Sequence, residues 1–279
     1  MEKKWILDEI FQVPKPIIGM VHLRPLPGAP LYDPRQMTMD DVIGIAVEEA
    51  LRLEAAGVDG LQIENIWDYP YLKGAQVGHE TTAALAVATW KVRNAVSVPV
   101  GVNCHLNAGI QALSAAVAAG ARWIRVFEWV NAYVSHAGLT EGIAGLLARH
   151  RASLKAESVK FFCDVNVKHG SHFIISDRTL IEQAHDAETE GAEGLIVTGF
   201  ETGQAPTPDK VRALAEQVTI PVLIGSGMTK DNAPQLLQYA DGAIVGSYFK
   251  RNHAWKQAVD EATAREFMSV VKEFREGLR

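Results

Sequence analysis

The chain has 279 residues, 48% of them apolar, and a formal net charge of −6. That supports one large core and argues against a nucleic-acid binder, which carries a basic face; here no basic run exceeds two residues. The opening MEKKWILDEIFQ lacks the apolar stretch of a signal peptide, and the longest small-residue run, ALSAAVAAGA, is too short and too weakly apolar to span a bilayer, so a cytoplasmic location is expected.

In chain order, the first 14 residues are expected to form a short helix over one end of the fold. Strand-like apolar runs follow at 16–22, 59–65, 98–104, 122–128, 160–167, 193–199, 220–226 and 241–247. Helical patterns fall between them at 39–56, 79–96, 107–119, 141–156, 178–190, 208–218 and 230–239, and a last one covers 252–277. The segments AAGVDG, AAGARW and TEGAEG place a glycine where a left-handed helix C-cap is wanted, with the next strand starting at once. Both cysteines, Cys104 and Cys163, lie in strand runs and are expected to be packed, reduced thiols.

Runs apolar on both faces imply a parallel sheet covered by helices. Eight strand–helix repeats predict an α/β fold, a single-domain (β/α)₈ barrel spanning 1–279. A doubly wound open sheet is the rival, and it lacks a GxGxxG turn after the first strand.

Alternation along the strands sorts the side chains. In GLQIEN, Gln62 and Glu64 are expected inside. In VPVGVNCH, Gly101, Asn103 and His105 face the lumen and Val100, Val102 and Cys104 the helices. In FFCDVNVKH, Asp164, Asn166 and Lys168 share the inner face, opposite Val165 and Val167. His22 and Glu128 close the first and fourth strands, and Ile196 and Thr198 point inward from the sixth. Barrel active sites are built at the C-terminal ends of the strands. Two carboxylates, two amides and a lysine are costly to bury there without a role, so Glu64, Asn103, Asp164, Asn166 and Lys168 form the candidate catalytic set.

Gly225-Ser226-Gly227 and Gly246-Ser247 end the seventh and eighth strands. Loops at those two ends commonly bind phosphate, through backbone N–H groups that glycine exposes and through hydroxyls. These five residues are the candidate phosphate site, with Lys250 either assisting or solvated.

On these residues the chain resembles the BtpA/SgcQ family. The resemblance runs through KPIIGMVHLRPLPGAP (15–30), GVDGLQIEN (57–65), CDVNVKHG (163–170) and GSGMT (225–229). It implies a barrel of the ribulose-phosphate-binding type, and one branch of the family is implicated in photosystem I biogenesis. It implies no particular reaction.

Two long loops, 23–38 and 65–80, leave strand ends at the expected mouth and suit a lid or an oligomer contact. His169 and His172 form an HxxH pair with no third ligand at zinc spacing. A magnesium ion between Glu64 and Asp164 is the one cofactor the carboxylates suggest. The reading that follows is an enzyme acting on a small phosphorylated metabolite such as a sugar phosphate. Asp164 or Glu64 would serve as base and Lys168 would steady an enolate or form a Schiff base. A non-catalytic assembly factor and a phosphometabolite sensor are the alternatives. A homo-oligomer is expected by analogy with other barrels.

Overall fold

The computed structural model describes residues 6–199 and 204–278. Its strands are β1 (Ile17–His22), β2 (Gly60–Glu64), β3 (Val100–Asn103), β4 (Trp123–Val126), β5 (Ala132–Ser135), β6 (Gly138–Glu141), β7 (Lys160–Val165), β8 (Gly194–Val197), β9 (Val222–Ile224) and β10 (Gly242–Val245). Eight of them close a barrel in the ring order β1-β10-β9-β8-β7-β4-β3-β2, every neighbouring pair parallel. The other two, β5 and β6, make an antiparallel hairpin inserted after β4.

The helices are α1 (Ile6–Ile10), α2 (Met39–Ala55), α3 (His79–Ala95), α4 (Gly109–Ala119), α5 (Ala144–Leu154), α6 (Leu180–Thr189), α7 (Pro208–Gln217), α8 (Ala233–Leu237) and α9 (Glu261–Glu276). Their starts follow local chemistry. Thr38 with Asp41 and Thr179 with Glu182 form capping boxes on α2 and α6, and Thr207 caps α7 ahead of Pro208. The expected left-handed glycines stand after α2, α4 and α6, with φ of 92° at Gly57, 73° at Gly120 and 90° at Gly191.

Two cores result. The outer one lies between strands and helices and holds Val100, Val102, Cys104 and Val165. The inner one fills the lower barrel with Ile18, Met20, Trp123, Phe162, Ile196, Leu223 and Ile244, closed from below by Leu7, Ile10 and Phe11 of α1 and the turn after it. Phe11 packs on Trp123 at 5.2 Å between ring centroids. Gln62 belongs to this plug: its Oε1 accepts the Trp123 indole N–H at 3.2 Å. Of the first 14 residues, where a short helix is expected, the described part holds α1 over Ile6–Ile10.

Three helices are shorter than the sequence suggests by five residues or more, and the stretch 141–156 keeps Ala144–Leu154 as helix. The stretch 230–239 keeps only Ala233–Leu237 as helix. The last helix starts at Glu261, because 3₁₀ turns at Ser247–Phe249 and Arg251–His253 and a bridge between Lys250 and Val259 occupy the chain before Asp260 caps it. Among the described residues, no helix is long and apolar enough to cross a membrane.

Candidate functional site

A cavity of about 540 Å³ opens at the C-terminal ends of the barrel strands. Glu64, at the end of β2, lines it, and the register of β2 on β3 pairs Glu64 with Asn103. The Asn103 amide donates to Glu64 Oε2 at 2.9 Å. His22 Nε2 lies 3.4 Å from one Glu64 oxygen and His105 Nε2 3.6 Å from the other. Burial pushes the Glu64 carboxyl up, but His105, His22 and Arg125 together outweigh it and hold the group below the usual carboxylate range. Glu64 is thus a fixed anion and a weak base. Burial, reinforced by the charge of Lys250, pushes His22 down to about 4, and its Nδ1–H donates to the Trp255 carbonyl at 3.2 Å. Asn103 supports Glu64 from outside the cavity lining.

The second polar cluster comes from β4 and β7. Arg125 points into the barrel and grips Asp164 through two N–H···O bonds of 2.7 Å, Nε to Oδ2 and Nη2 to Oδ1. The side chains of the pair are 5% and 0% exposed. Burial pushes the Asp164 carboxyl up against the opposing pull of Arg125; burial also works against the guanidinium, which Asp164 nonetheless holds above its ordinary range. Arg125 lines the cavity, whereas Asp164 lies behind it. The Arg125 Nη1 group donates to nothing in the described chain.

Lys168 also lines the cavity and makes no hydrogen bond or ion pair among the described residues. Burial, aided by the like charge of Arg125, pushes its ammonium down to about 8, against the attraction of Asp164 and Glu64. The expected shared face of Asp164, Asn166 and Lys168 does not hold. β7 ends at Val165 and Asn166 turns to φ 56°, which breaks the alternation. Asn166 is half-buried and outside the cavity lining, while Val167, expected on the outer face, enters it.

All five residues of the candidate phosphate site line the cavity. The backbone N–H groups of Gly227, Met228, Ser247 and Tyr248 have no acceptor in the described chain. Two of the glycines already have structural reasons. A Cβ at Gly225 would come within 2.4 Å of Ile196, and one at Gly227, where φ is +76°, would strike the Gln204–Ala205 backbone at 2.1 Å. The Ser226 hydroxyl donates to the Gln204 carbonyl at 3.2 Å. The helix expected to follow Ser247 is a 3₁₀ turn, so no long helix aims its dipole here. Lys250 is not at the site: its ammonium is 2.6 Å from Glu49 of α2, in the helix layer, and the pair is 1% and 6% exposed.

The rest of the wall mixes an apolar cluster with several polar side chains. Leu106, Phe127, Tyr133 and Val167 form a buried cluster with Tyr71 packed against it. His105 stacks on Tyr71 at 4.5 Å and meets Phe127 edge-on at 5.0 Å, and neither of its ring nitrogens has a hydrogen bond. Tyr133 comes from β5, and the hairpin also brings Ser135 and His136 to the cavity. Paired N–H···O bonds of 2.9 Å between Val134 and Ser171 fix the hairpin to the loop after β7. Of the two long loops, 65–80 contributes Ile66 and Tyr71, and 23–38 contributes nothing to the lining.

The donor set does not suit the expected magnesium ion. Asp164 spends both oxygens on Arg125, and among the described residues no three His, Cys, Asp or Glu groups could jointly hold a metal. His172 of the HxxH pair donates through Nε2–H to the Val167 carbonyl at 2.8 Å and stacks on Tyr133.

The model of the BtpA family matches residues 13–273. The chain belongs to the BtpA family. It is 41% identical over 263 residues to an uncharacterized protein of Thermococcus kodakarensis, covering 94% of this chain and 97% of that one. It is 34% identical over 269 residues to the photosystem I biogenesis protein BtpA of Synechocystis, covering 96% and 91%. A further relative, at 34% identity over 277 residues, is a Caenorhabditis elegans protein described as mitochondrial. Among solved structures, thiamine phosphate pyrophosphorylase from Pyrococcus furiosus superimposes with a TM-score of 0.57 at 16% identity over 93% of this chain and 96% of that one. Tryptophan synthase of Mycobacterium tuberculosis gives 0.57 at 17% identity, over 92% and 93%. At those identities the likeness is one of fold, a TIM barrel.

Proposed function

We propose that this BtpA-family barrel binds a small phosphorylated metabolite that carries a carbonyl group and transfers a proton beside that carbonyl. The observation that carries this reading is Lys168, an ammonium without a direct partner that burial pushes down to about 8, in the same cavity as Arg125 and the residues 225–227 and 246–247. A lysine tuned toward neutrality can act as base, and an unspent guanidinium donor can stabilise the enolate that forms. Asp164, held by Arg125, and Glu64, held as a fixed anion, orient and balance these two cations; neither is the base. The same neutral amine could instead attack the carbonyl, releasing water as the Schiff base forms, which would give aldolase-type chemistry. Two solved barrels with the same fold carry names or titles that point to phosphorylated compounds, thiamine phosphate pyrophosphorylase and phosphoribosyl anthranilate isomerase, and this supports the choice of ligand.

The name of the Synechocystis relative favours a second reading, an assembly factor. The close nematode relative, from an animal that builds no photosystem, and the polar cavity both favour the first.

The test is thermal unfolding with ribose 5-phosphate and dihydroxyacetone phosphate against ribose and dihydroxyacetone. A ligand at about 100 times its Kd stabilises by roughly 2.7 kcal/mol. The phosphorylated forms should do so, the parents should not, and Ser247→Asp should abolish the shift while leaving the free protein folded. Equal shifts from the phosphorylated and bare forms would end the phosphate reading. Solvent deuterium appearing on the carbon next to the carbonyl would demonstrate proton transfer, and a borohydride-stable adduct at Lys168 would establish the Schiff base in its place.

A further inference from the structure

The cavity has two unlike sides, and the barrel's own order sets them opposite each other. In the ring β1-β10-β9-β8-β7-β4-β3-β2, β4 stands across from β10 and β3 across from β9. The loops after β9 and β10 bring glycines, serines and unused N–H groups, along with Met228, Tyr248 and Trp255. The segments after β3, β4 and β7 bring the buried apolar cluster Leu106, Phe127, Tyr133 and Val167, together with His105, Ser135, His136, Lys168 and His169. A compact sugar phosphate anchored at the first side would put polar hydroxyls against that apolar cluster, where they would lose water without gaining a partner. The volume of about 540 Å³ also falls in the range of sites for drug-sized ligands, roughly 300–1,000 Å³.

We infer that the ligand is a phosphate ester whose far end is a planar, largely apolar group, held between Phe127, Tyr133, Leu106 and Val167. This rests on the phosphate reading above and narrows it. The stacked Tyr71–His105 pair, 24° from parallel, and the edge-on Phe127 already show the geometry that flat rings adopt on this wall. Glu64, Arg125 and Lys168, which line the same cavity, would then face the carbons joining the phosphate to the apolar group.

Four probes separate the parts: 1-naphthyl phosphate, ribose 5-phosphate, inorganic phosphate and 1-naphthol, each titrated by calorimetry. The naphthyl ester should bind at least about tenfold more tightly than ribose 5-phosphate, a difference of about 1.4 kcal/mol. Phe127→Ala should erase that preference and leave ribose 5-phosphate affinity nearly unchanged. Because Phe127 is buried and its loss can unfold the loop, Val167→Thr provides a second test; it adds a hydroxyl to the wall at nearly constant volume and should weaken only the naphthyl ester. Equal affinities for the two esters, or a preference that survives both variants, would overturn the inference while leaving the phosphate site intact. If 1-naphthol binds as tightly as its phosphate, the phosphate reading fails instead. If no probe binds, both fail.

Discussion

Among the described residues, two buried ion pairs invite comparison, and they differ in what they leave over. Lys250 and Glu49 meet at 2.6 Å between the turn after β10 and α2, with 1% and 6% of their side chains exposed. Arg125 and Asp164 meet inside the barrel, 5% and 0% exposed. The first is a lysine sealed in the helix layer, its charge matched by one carboxylate. The second is a guanidinium fork, which binds a carboxylate with two donors and still has others to offer. Arg125 turns that remainder toward the cavity and lies over the Phe127 ring at 5.1 Å. A buried pair is weak evidence for added stability, because desolvation offsets the attraction. It becomes evidence for function when one member keeps unspent donors at an open site, and only the inner pair does so.

Separating the pairs experimentally gives the largest expected effect. Arg125→Met leaves Asp164 buried and alone, which should cost about 3–5 kcal/mol of stability. Removing a donor aimed at developing charge should also cost about 10²–10³ in turnover. The paired replacement Arg125→Met with Asp164→Leu should recover most of the stability and none of the activity. If the double variant turns over normally on an identified substrate, the inner pair is structural and the proposal for Arg125 is wrong.

The outer pair should behave differently. Lys250→Met alone should cost about the same 3–5 kcal/mol, and Lys250→Met with Glu49→Leu should return stability close to that of the parent. Affinity for the phosphorylated ligand should stay within about twofold in the double variant, since nothing at the cavity is lost; each 1.4 kcal/mol of binding energy would show as tenfold. A tenfold drop would mean that the Lys250 charge reaches the anion, as it already reaches His22.

The sequence reveals this difference only partly, and the reasons are local. Alternation puts Gln62, Glu64 and Asn103 inside because β2 and β3 are regular to their ends. The same rule, applied to WIRVF, would have turned Arg125 inward with Trp123; one cation in an apolar strand was the available signal. It fails at Asn166, where a positive φ ends the strand two residues before Lys168. Lys250, expected either to assist at the anion or to be solvated, is instead carried to Glu49, because the chain after β10 makes 3₁₀ turns and bridges to Val259 instead of starting a helix. The hairpin of β5 and β6 left a trace in AYVSHAGLTE: Val134 and Leu139 sit at paired positions around Gly138, whose φ is 88°. Such a short insertion in a loop carries too few residues for the periodicity to register. Fold is legible because its pattern repeats eight times, whereas each cavity residue depends on one local turn of the chain.

The smallest effect, and the sharpest on chemistry, concerns Lys168 itself. Its folded value, about 8, lies below the 10.5 of an ordinary lysine. Between those two pH values the unfolded chain binds more protons than the folded one, so stability should rise with pH across that window. Below about pH 8 the half-buried ammonium exerts its full cost; above about 10.5 both states are neutral and the cost is gone. Lys168→Met removes the group and should therefore be the more stable protein at pH 7, by about 1–3 kcal/mol, with the advantage fading toward pH 10. Lys210 and Lys250 are also pushed down by burial, but both proteins contain them, so they cancel in the comparison. Urea unfolding at pH 7, 8, 9 and 10 measures the difference directly. Turnover should follow the opposite member of the couple: if the neutral amine is the base, activity rises through about pH 8 in the parent and is lost in the variant. A stability difference that stays flat from pH 7 to 10 would show that Lys168 is an ordinary solvated lysine, and the proton-transfer role would fall with it.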